Sequence, residues 1–502
     1  MRNAVRWRAC RMEKMNWIPV LLLLLLAKSC ATVSPVAAQE SIKIGTKAFT
    51  ESVILGELLE QSIESEGADA VLFKQLGGTR ILWSALRNGE IDLYPDYTGT
   101  IIEEILAGQE ISNTEQLRQA LRDLGILMSR PLGFNNTYAL GMKREKAESL
   151  GIQTMSDLRE HPELTFGFSN EFMDRRDGWP GIQSEYGLNP RRVNGLEHAL
   201  AYRGLEAGSI DVIDLYSTDP EIEYYNLAIL EDDLNFFPDY EAVVLYREGM
   251  DDPVVNAITR FEGAISQQEM IAMNKQVKID RLADEAVASS FLKDTFQIET
   301  EFSRSGFTER ILRHTVDHLY LVVISLGLAI LMAIPLGVLA VKVSWLETAV
   351  LGTVGIMQTI PSLALLVFMI PIFGIGALPA MAALFLYSLL PIVRNTHAGI
   401  KAIPMPVMES ARALGLPDSL ILRKIELPIA IPSILAGIKT SAVINVGVAT
   451  LGALIGAGGY GQPILTGIRL DSIPLILEGA VPAALLAMLV QGLFDLIERK
   501  IT

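Results

Sequence analysis

The apolar positions of this chain follow two regimes. Up to about residue 300, short β-rich runs alternate with helical patterns. Ile42-Lys43-Ile44 precedes a helix from about Glu51, and Val71-Leu72-Phe73 precedes one from about Thr79. Thr165–Phe168, Val212–Leu215 and Ala242–Leu245 repeat the strand signal. The alternation predicts an α/β fold with parallel strands and crossover helices, binding ligands in crevices at the carboxyl ends of its strands. From residue 316 onward the sequence is nearly continuously apolar. It predicts an all-α membrane domain of five spans: Val316–Val341, Thr348–Ile372, Ala377–Ile400, Ser433–Ala457 and Leu475–Ile497. Each has about 20 or more mostly apolar residues, enough for the hydrocarbon core. Pro335, Pro361, Pro371 and Pro391 lie in or beside them, tolerated where neighbouring helices re-satisfy the backbone.

The N-terminus reads as an export signal over residues 1–38. Arg2, Arg6, Arg8, Arg11 and Lys14 precede the apolar run Ile18–Ala27, and Val36-Ala37-Ala38 offers small residues for cleavage; an uncleaved anchor is the alternative. Either way residues 39–302 are expected outside the cytoplasm, followed by a linker at 303–315 and the membrane domain at 316–502. Cys10 and Cys30 are the chain's cysteines, so cleavage after Ala38 leaves no thiol chemistry and no disulfide.

Charge follows the same division. Of 42 Lys+Arg and 58 Asp+Glu, 12 and 9 lie from Arg310 onward, leaving 30 and 49 before it. The first 38 residues hold six basic and one acidic side chain, so residues 39–309 carry a net −24. So acidic a body excludes a nucleic-acid partner, because phosphate binding needs the opposite sign. Loop charge orients the spans. Lys342, the Lys401–Lys439 region and Arg499-Lys500 share one side, the cytoplasm. The loops around 374–378 and 458–474 face outward and carry only Arg469 and Asp471. Five spans then place the C-terminus inside.

Within the cytosolic loop 401–432 stands Glu409-Ser410-Ala411-Arg412-Ala413-Leu414-Gly415, and after nine more residues Ile425-Glu426-Leu427-Pro428. This segment resembles the EAA loop of ABC importer permeases, which reads E-A-A, three residues, G, nine residues, I-x-L-P. Ser410 stands where the first Ala is usual. The resemblance implies a short helix over Glu409–Leu414, closed by Gly415, that docks a separate ATPase through Glu409, Ala411, Gly415, Ile425, Leu427 and Pro428. Gln358–Ala364, Leu386–Thr396 and Gly456–Gly461 are similar to permease subunits of osmoprotectant (glycine betaine/choline/carnitine type) importers. Gly456–Gly461 reads as close packing or an external turn. No Walker A sequence occurs in the chain, so ATP hydrolysis is expected from another polypeptide.

The acidic half resembles the substrate-binding proteins of the same importers. The likeness lies in Gly45–Glu51, Leu76–Thr79, Tyr94–Thr100, Asn135–Ala139, Asp174–Gly178, Val212–Asp219 and Phe236–Tyr240. It implies two α/β lobes closing on a ligand, with residues 41 to about 137 and about 240 to 302 in one lobe. Tyr97, Tyr138, Tyr216 and Tyr240 correspond to an aromatic cage. A quaternary ammonium has no N–H to donate, so aromatic faces hold it, each giving roughly 0.5–2 kcal/mol. Arg175 is the candidate partner for a solute carboxylate, with Arg176 as rival. Thr46, Thr79 and Thr98 sit beside Gly or at helix starts, where hydroxyls and backbone N–H groups face anions or simply cap the helix. Arg80 would suit a larger anionic ligand, and similar binding proteins also serve ergothioneine.

His314 and His318 lack the Glu of a zinc-protease helix, and no nucleophile–base set or cofactor motif is visible. The expectation is therefore a non-enzymatic importer component of a bacterial inner membrane, for glycine betaine, choline or carnitine type solutes. A homodimer in lipid with two ATPase copies is implied. A bulkier betaine, or a non-transporting solute receptor, is the alternative.

Overall fold

The computed structural model describes residues 41–111, 113–300 and 306–501, so the expected export segment and both cysteines lie outside the described residues. Residues 41–300 build two five-stranded sheets. The first has the order β2 (Ala70–Phe73), β1 (Ile42–Gly45), β3 (Leu93–Tyr97), β10 (Ala242–Arg247), β4 (Ile126–Met128). The second has the order β7 (Arg192–Leu196), β6 (Thr165–Ser169), β8 (Val212–Tyr216), β5 (Tyr138–Lys143), β9 (Leu227–Leu230). Each sheet is the centre of one lobe. The chain leaves the first lobe after β4, completes the second, and returns through Tyr240 to add β10.

All five strand signals in the sequence are strands here. The expected parallel sheets are mixed, however: β10 runs antiparallel to β3 and β4, and β5 antiparallel to β8 and β9. β5 and β10 are the strands by which the chain crosses between lobes. They enter their sheets directly, without the crossover helix that would turn the chain parallel.

The helix Thr50–Ser65 begins at the cleft because Phe49 holds an extended backbone (φ −122°, ψ 159°) just before it. It is buried on nearly every side, between its sheet and the helices Gln267–Lys278 and Asp284–Phe296. Its acidic Glu51 lies in the first turn, where the helix dipole favours a negative charge.

The membrane domain contains the long apolar helices Phe307–Lys342, Ala377–Lys401, Asp418–Ile455 and Ile473–Lys500, and a bent pair, Ser344–Thr359 with Ser362–Phe373. The first helix begins at Phe307, inside the expected linker. The second expected span is bent by 102° at Ile360-Pro361. Pro361 has no N–H and drives Ile360 to an extended conformation (φ −69°, ψ 127°), which stops the helix. Counted as one span, the pair brings the apolar crossings to five. Just before it, Lys342 Nζ donates to Glu426 Oε1 of the loop 401–432 at 2.7 Å. Just after it, Gly374 packs on Glu90 of the first lobe, its Cβ position 3.5 Å from the carboxyl carbon. Polar groups inside the bundle pair with one another. Asn445 donates to Ser325 at 3.2 Å, and His318 Nε2 meets the Val446 carbonyl at 3.0 Å.

Candidate functional site

The carboxyl ends of β1, β3, β6 and β8 face each other across the lobes, and the four tyrosines stand there. Tyr97 ends β3, Tyr216 ends β8, Tyr138 begins β5 and Tyr240 lies on the return crossing. Together with Lys47, Phe49, Thr100, Asn136, Glu171 and Arg175 they line one cavity of about 320 Å³, open cleft space included. Their rings form a continuous arc. Phe49 lies 6.2 Å from Tyr97 and 5.4 Å from Tyr216; Tyr138 lies 5.3 Å from Tyr216 and 5.4 Å from Tyr240. Phe49 therefore joins two tyrosines of opposite lobes. It stands in the Gly45–Glu51 turn, but counting tyrosines alone passes over it. Gly99 makes room for the arc: a Cβ there would lie 2.7 Å from the Tyr240 ring.

Beneath the arc, Glu51 is wholly enclosed. It accepts from Tyr97 Oη at 2.6 Å, Asn136 at 2.9 Å, Thr218 Oγ1 at 2.5 Å and Asn274 at 3.1 Å. Burial raises its carboxyl pKa, and the hydrogen bonds oppose that shift. Thr218 belongs to the second lobe, so Glu51 ties the two lobes together. Burial likewise raises the hydroxyl pKa of Tyr97, Tyr138 and Tyr216, so all three stay neutral.

Arg175 is buried with its guanidinium 5.4 Å from the Tyr138 ring. Its Nε donates to Asp177 at 2.8 Å and Nη2 to the same carboxylate, while Nη1 reaches Glu104 at 3.1 Å and Nη2 reaches Thr100 at 3.3 Å. Two of these partners, Glu104 and Thr100, come from the other lobe. Lys47 pairs with Asp96 at 2.6 Å and lies 5.6 Å from the Tyr97 ring. Arg80 stays out of the cavity, its side chain 84% exposed and 3.2 Å from Glu104. It adds no cation to the cleft.

The three threonines lie outside the cavity lining. Thr46 Oγ1 accepts from the Gln75 N–H at 2.9 Å, joining the turns after β1 and β2. Thr98 Oγ1 donates to the Asp239 carbonyl and accepts from the Glu241 N–H, both at 3.0 Å, fixing the return crossing. Thr79 is buried at the first turn of its helix.

A second charged network backs Tyr216. The His198 ring stacks 4.4 Å from it, with Nε2 2.9 Å from Asp219. Burial alone would lower the His198 pKa, but Asp219 and Asp214 more than offset this and push it up to about 10. Lys278, from the first lobe, meets Asp219 at 3.2 Å and Glu221 at 2.6 Å.

The outer loop of the membrane domain touches both lobes. Arg469 donates to both oxygens of Asp284, at 3.1 and 2.7 Å, with the residues 4% and 6% exposed. Asp471 pairs with Arg203 of the second lobe, and its carbonyl accepts from Arg281 of the first at 3.3 Å. Gln75 donates to Thr466 at 3.1 Å. These partners give a use to the two charges that stand out in otherwise uncharged outer loops. Gly456, from the glycine run, packs against Phe73 and Leu76.

In the loop 401–432 the helix runs Met405–Ala413, about one turn longer than the expected Glu409–Leu414, and Gly415 follows with φ +71°, the left-handed conformation that ends it. Ala411 is buried at its base, Ile425 and Leu427 are half-buried, and Glu409, Gly415 and Pro428 are exposed. Ser410 Oγ bonds back to the Pro406 carbonyl at 2.8 Å, so the serine adds no free group where alanine is usual. Leu414 is 77% exposed and Met405 66% exposed, an apolar tip on a charged loop.

Comparisons with known proteins follow the same two halves. The family described as the substrate binding domain of ABC-type glycine betaine transport systems matches residues 40–294. The family described as the binding-protein-dependent transport system inner membrane component matches residues 325–502. The glycine betaine/carnitine/choline transport system permease protein of Bacillus subtilis (strain 168) is 44% identical over 192 residues, which is 38% of this chain and 88% of that one. The osmoprotectant import permease protein of Salmonella typhimurium (strain LT2) is 45% identical over 193 residues, 38% and 90% of the two chains. The ergothioneine transport permease/ergothioneine binding protein of Helicobacter pylori (strain G27) is 30% identical over 285 residues, 55% and 52% of the two chains.

Proposed function

The chain belongs to the substrate-binding domain family of ABC-type glycine betaine transport systems, joined to an inner membrane component of binding-protein-dependent transport, and from that premise we propose how it works. It is the receptor and half of the channel of an importer for glycine betaine, choline or carnitine type solutes. The observation that carries the reading is the arc of five aromatic rings across the cleft. A trimethylammonium group lies against this arc, held by cation–π attraction that strengthens where water is excluded. A solute carboxylate is received on the Nη1 side of Arg175, where Glu104 is the partner that yields. Because Tyr97 and Phe49 belong to one lobe and Tyr138 and Tyr216 to the other, bound solute favours the closed arrangement.

Two copies of the membrane domain form the pathway within lipid. The exposed apolar side chains Leu331, Met488 and Leu489 support a face given to lipid or a second copy. Two ATPase subunits, separate polypeptides, dock on the loops Met405–Pro428 and drive alternating access. Fusion of receptor to channel keeps the receptor at high local concentration over the pore.

Calorimetry on the full chain in nanodiscs tests the cargo. Glycine betaine, choline and carnitine are expected to bind more tightly than ergothioneine. The reverse order would give the cleft to a bulkier betaine, the reading favoured by the Helicobacter relative.

A further inference from the structure

A second cavity lies where the lobes meet the membrane domain. It measures about 560 Å³, against about 320 Å³ for the tyrosine cleft on the same measure. The second lobe gives it Glu221, Tyr224 and Tyr225, the first lobe gives Lys278, and the outer loop gives Arg469 and Asp471.

Two residues that line it each carry a buried polar atom without a partner. Glu221 is 8% exposed; its Oε1 meets Lys278 at 2.6 Å, and its Oε2 is unbonded. Arg469 is 4% exposed; its two terminal nitrogens hold Asp284, and its Nε–H is unbonded. A buried acceptor and a buried donor are costly to leave unmade. Here one sits on a carboxylate and the other on a guanidinium, on residues that line the same cavity. Aromatic faces stand beside them. Tyr224 and Tyr225 meet edge to face at 4.8 Å, and Tyr225 stacks on Tyr202 at 6.0 Å. Rings with a free carboxylate oxygen receive a cation, and a free guanidinium N–H receives an anion. The ligand that satisfies both is a small zwitterion with a quaternary ammonium head.

The cavity and the inner end of the cleft share a wall. Lys278 lines the cavity and lines the inner end of the cleft too, beside Phe49 and Tyr216. One side chain, held across the lobes by Asp219 and Glu221, stands between the two spaces.

We propose that the interface cavity is a second, weaker site for a zwitterionic quaternary ammonium solute, occupied as the solute passes from the cleft to the membrane domain. The proposal rests on the cargo reading above. The site is weaker because its rings are partly in water: Tyr224 is 62% exposed. Choline, which has no carboxylate, fits it less well than glycine betaine.

Equilibrium dialysis of radiolabelled glycine betaine against the full chain tests this. The nanodiscs contain phosphatidylglycerol alone, so no zwitterionic headgroup competes. Wild type is expected to bind two molecules per chain, and Tyr138→Ala one. If Tyr138→Ala does not fold, Tyr216→Leu serves as the background. In that background Glu221→Gln and Tyr224→Ala each weaken the remaining site about tenfold, and choline competes about tenfold less well than glycine betaine. One molecule per wild-type chain, lost entirely with Tyr138→Ala, overturns the interface site and leaves the cargo reading standing. A residual site indifferent to Glu221→Gln and Tyr224→Ala also overturns it. No binding by any variant overturns the cargo reading, and this site with it.

Discussion

Tyr138 in the cleft and Leu414 on the loop 401–432 each present an apolar face at a proposed binding surface, but one is 6% exposed and the other 77%. Tyr138 is ringed by Phe172, Tyr216, Phe237 and Tyr240, with Arg175 over its face. Leu414 stands at the end of a helix, presented by the turn at Gly415. The difference follows from the size of the partner. A small solute must be surrounded, so its site is built inside, where Glu51 and Arg175 are already paired. A protein partner brings the other half of the interface, so its site leaves apolar surface outside. The outer loop is a third case: Arg469 is as buried as the cleft residues, because its partner, Asp284, is part of the same chain.

The sharpest way to break this comparison is Arg469→Ala. It leaves Asp284 buried without its cation, and disrupting a buried pair costs about 3–5 kcal/mol. Uptake by proteoliposomes should fall at least 100-fold, while glycine betaine affinity at the cleft, read by calorimetry, changes less than about threefold. Asp284→Arg combined with Arg469→Asp should restore part of the uptake. A matching loss of cleft affinity would show that docking and solute capture are not separate sites.

Tyr138→Ala comes next. It removes one aromatic face, worth about 0.5–2 kcal/mol, and loosens the rings around it. Calorimetry should show glycine betaine binding weakened at least 30-fold or so. Unchanged affinity would take Tyr138 out of the site.

Leu414→Asp probes the exposed half. A leucine side chain buried at an interface contributes about 1.5–3 kcal/mol. ATPase retention on the purified chain should weaken about 10- to 100-fold with solute affinity unaltered. Full retention would move the docking face elsewhere.

His198 gives a pH test confined to the buried half. Its folded pKa, about 10, lies above the usual histidine value of 6.5. The folded state therefore holds a proton that the unfolded chain releases. This stabilisation is complete below about pH 6.5 and is lost as pH rises through about 10. Thermal unfolding followed from pH 6.5 to 10 should show Tm falling, and His198→Gln should flatten that part of the slope. The smallest effect expected is Ser410→Ala, within about 0.5 kcal/mol of wild type in ATPase retention. The Ser410 hydroxyl is already bonded to Pro406.

Much of this was legible in the chain. The β-rich runs marked five of the ten strands among the described residues, and the resemblance to binding proteins implied the two lobes. β5 and β10 were harder to orient, since strand direction depends on where the chain crosses and not on local pattern. The four tyrosines and Arg175 meet in one cavity. Phe49 was hidden because a lone phenylalanine before a helix carries no chemical signature. Thr46 and Thr98 have the residue type of anion sites, but their hydroxyls are used to tie turns together. Pro361 was visible in the sequence, but the 102° bend it produces was not.

The sequence by itself determined which segments are apolar enough to enter a membrane, which side the charged loops face, and which side-chain chemistries are present. These depend on composition and spacing along the chain. Only the tertiary structure decided which charges are already spent. Arg175 on Asp177, Arg469 on Asp284 and Lys278 on Glu221 join residues that are 2, 185 and 57 positions apart. Whether a charge is free for a ligand depends on what folding brings within about 3 Å of it, a distance that sequence separation does not encode.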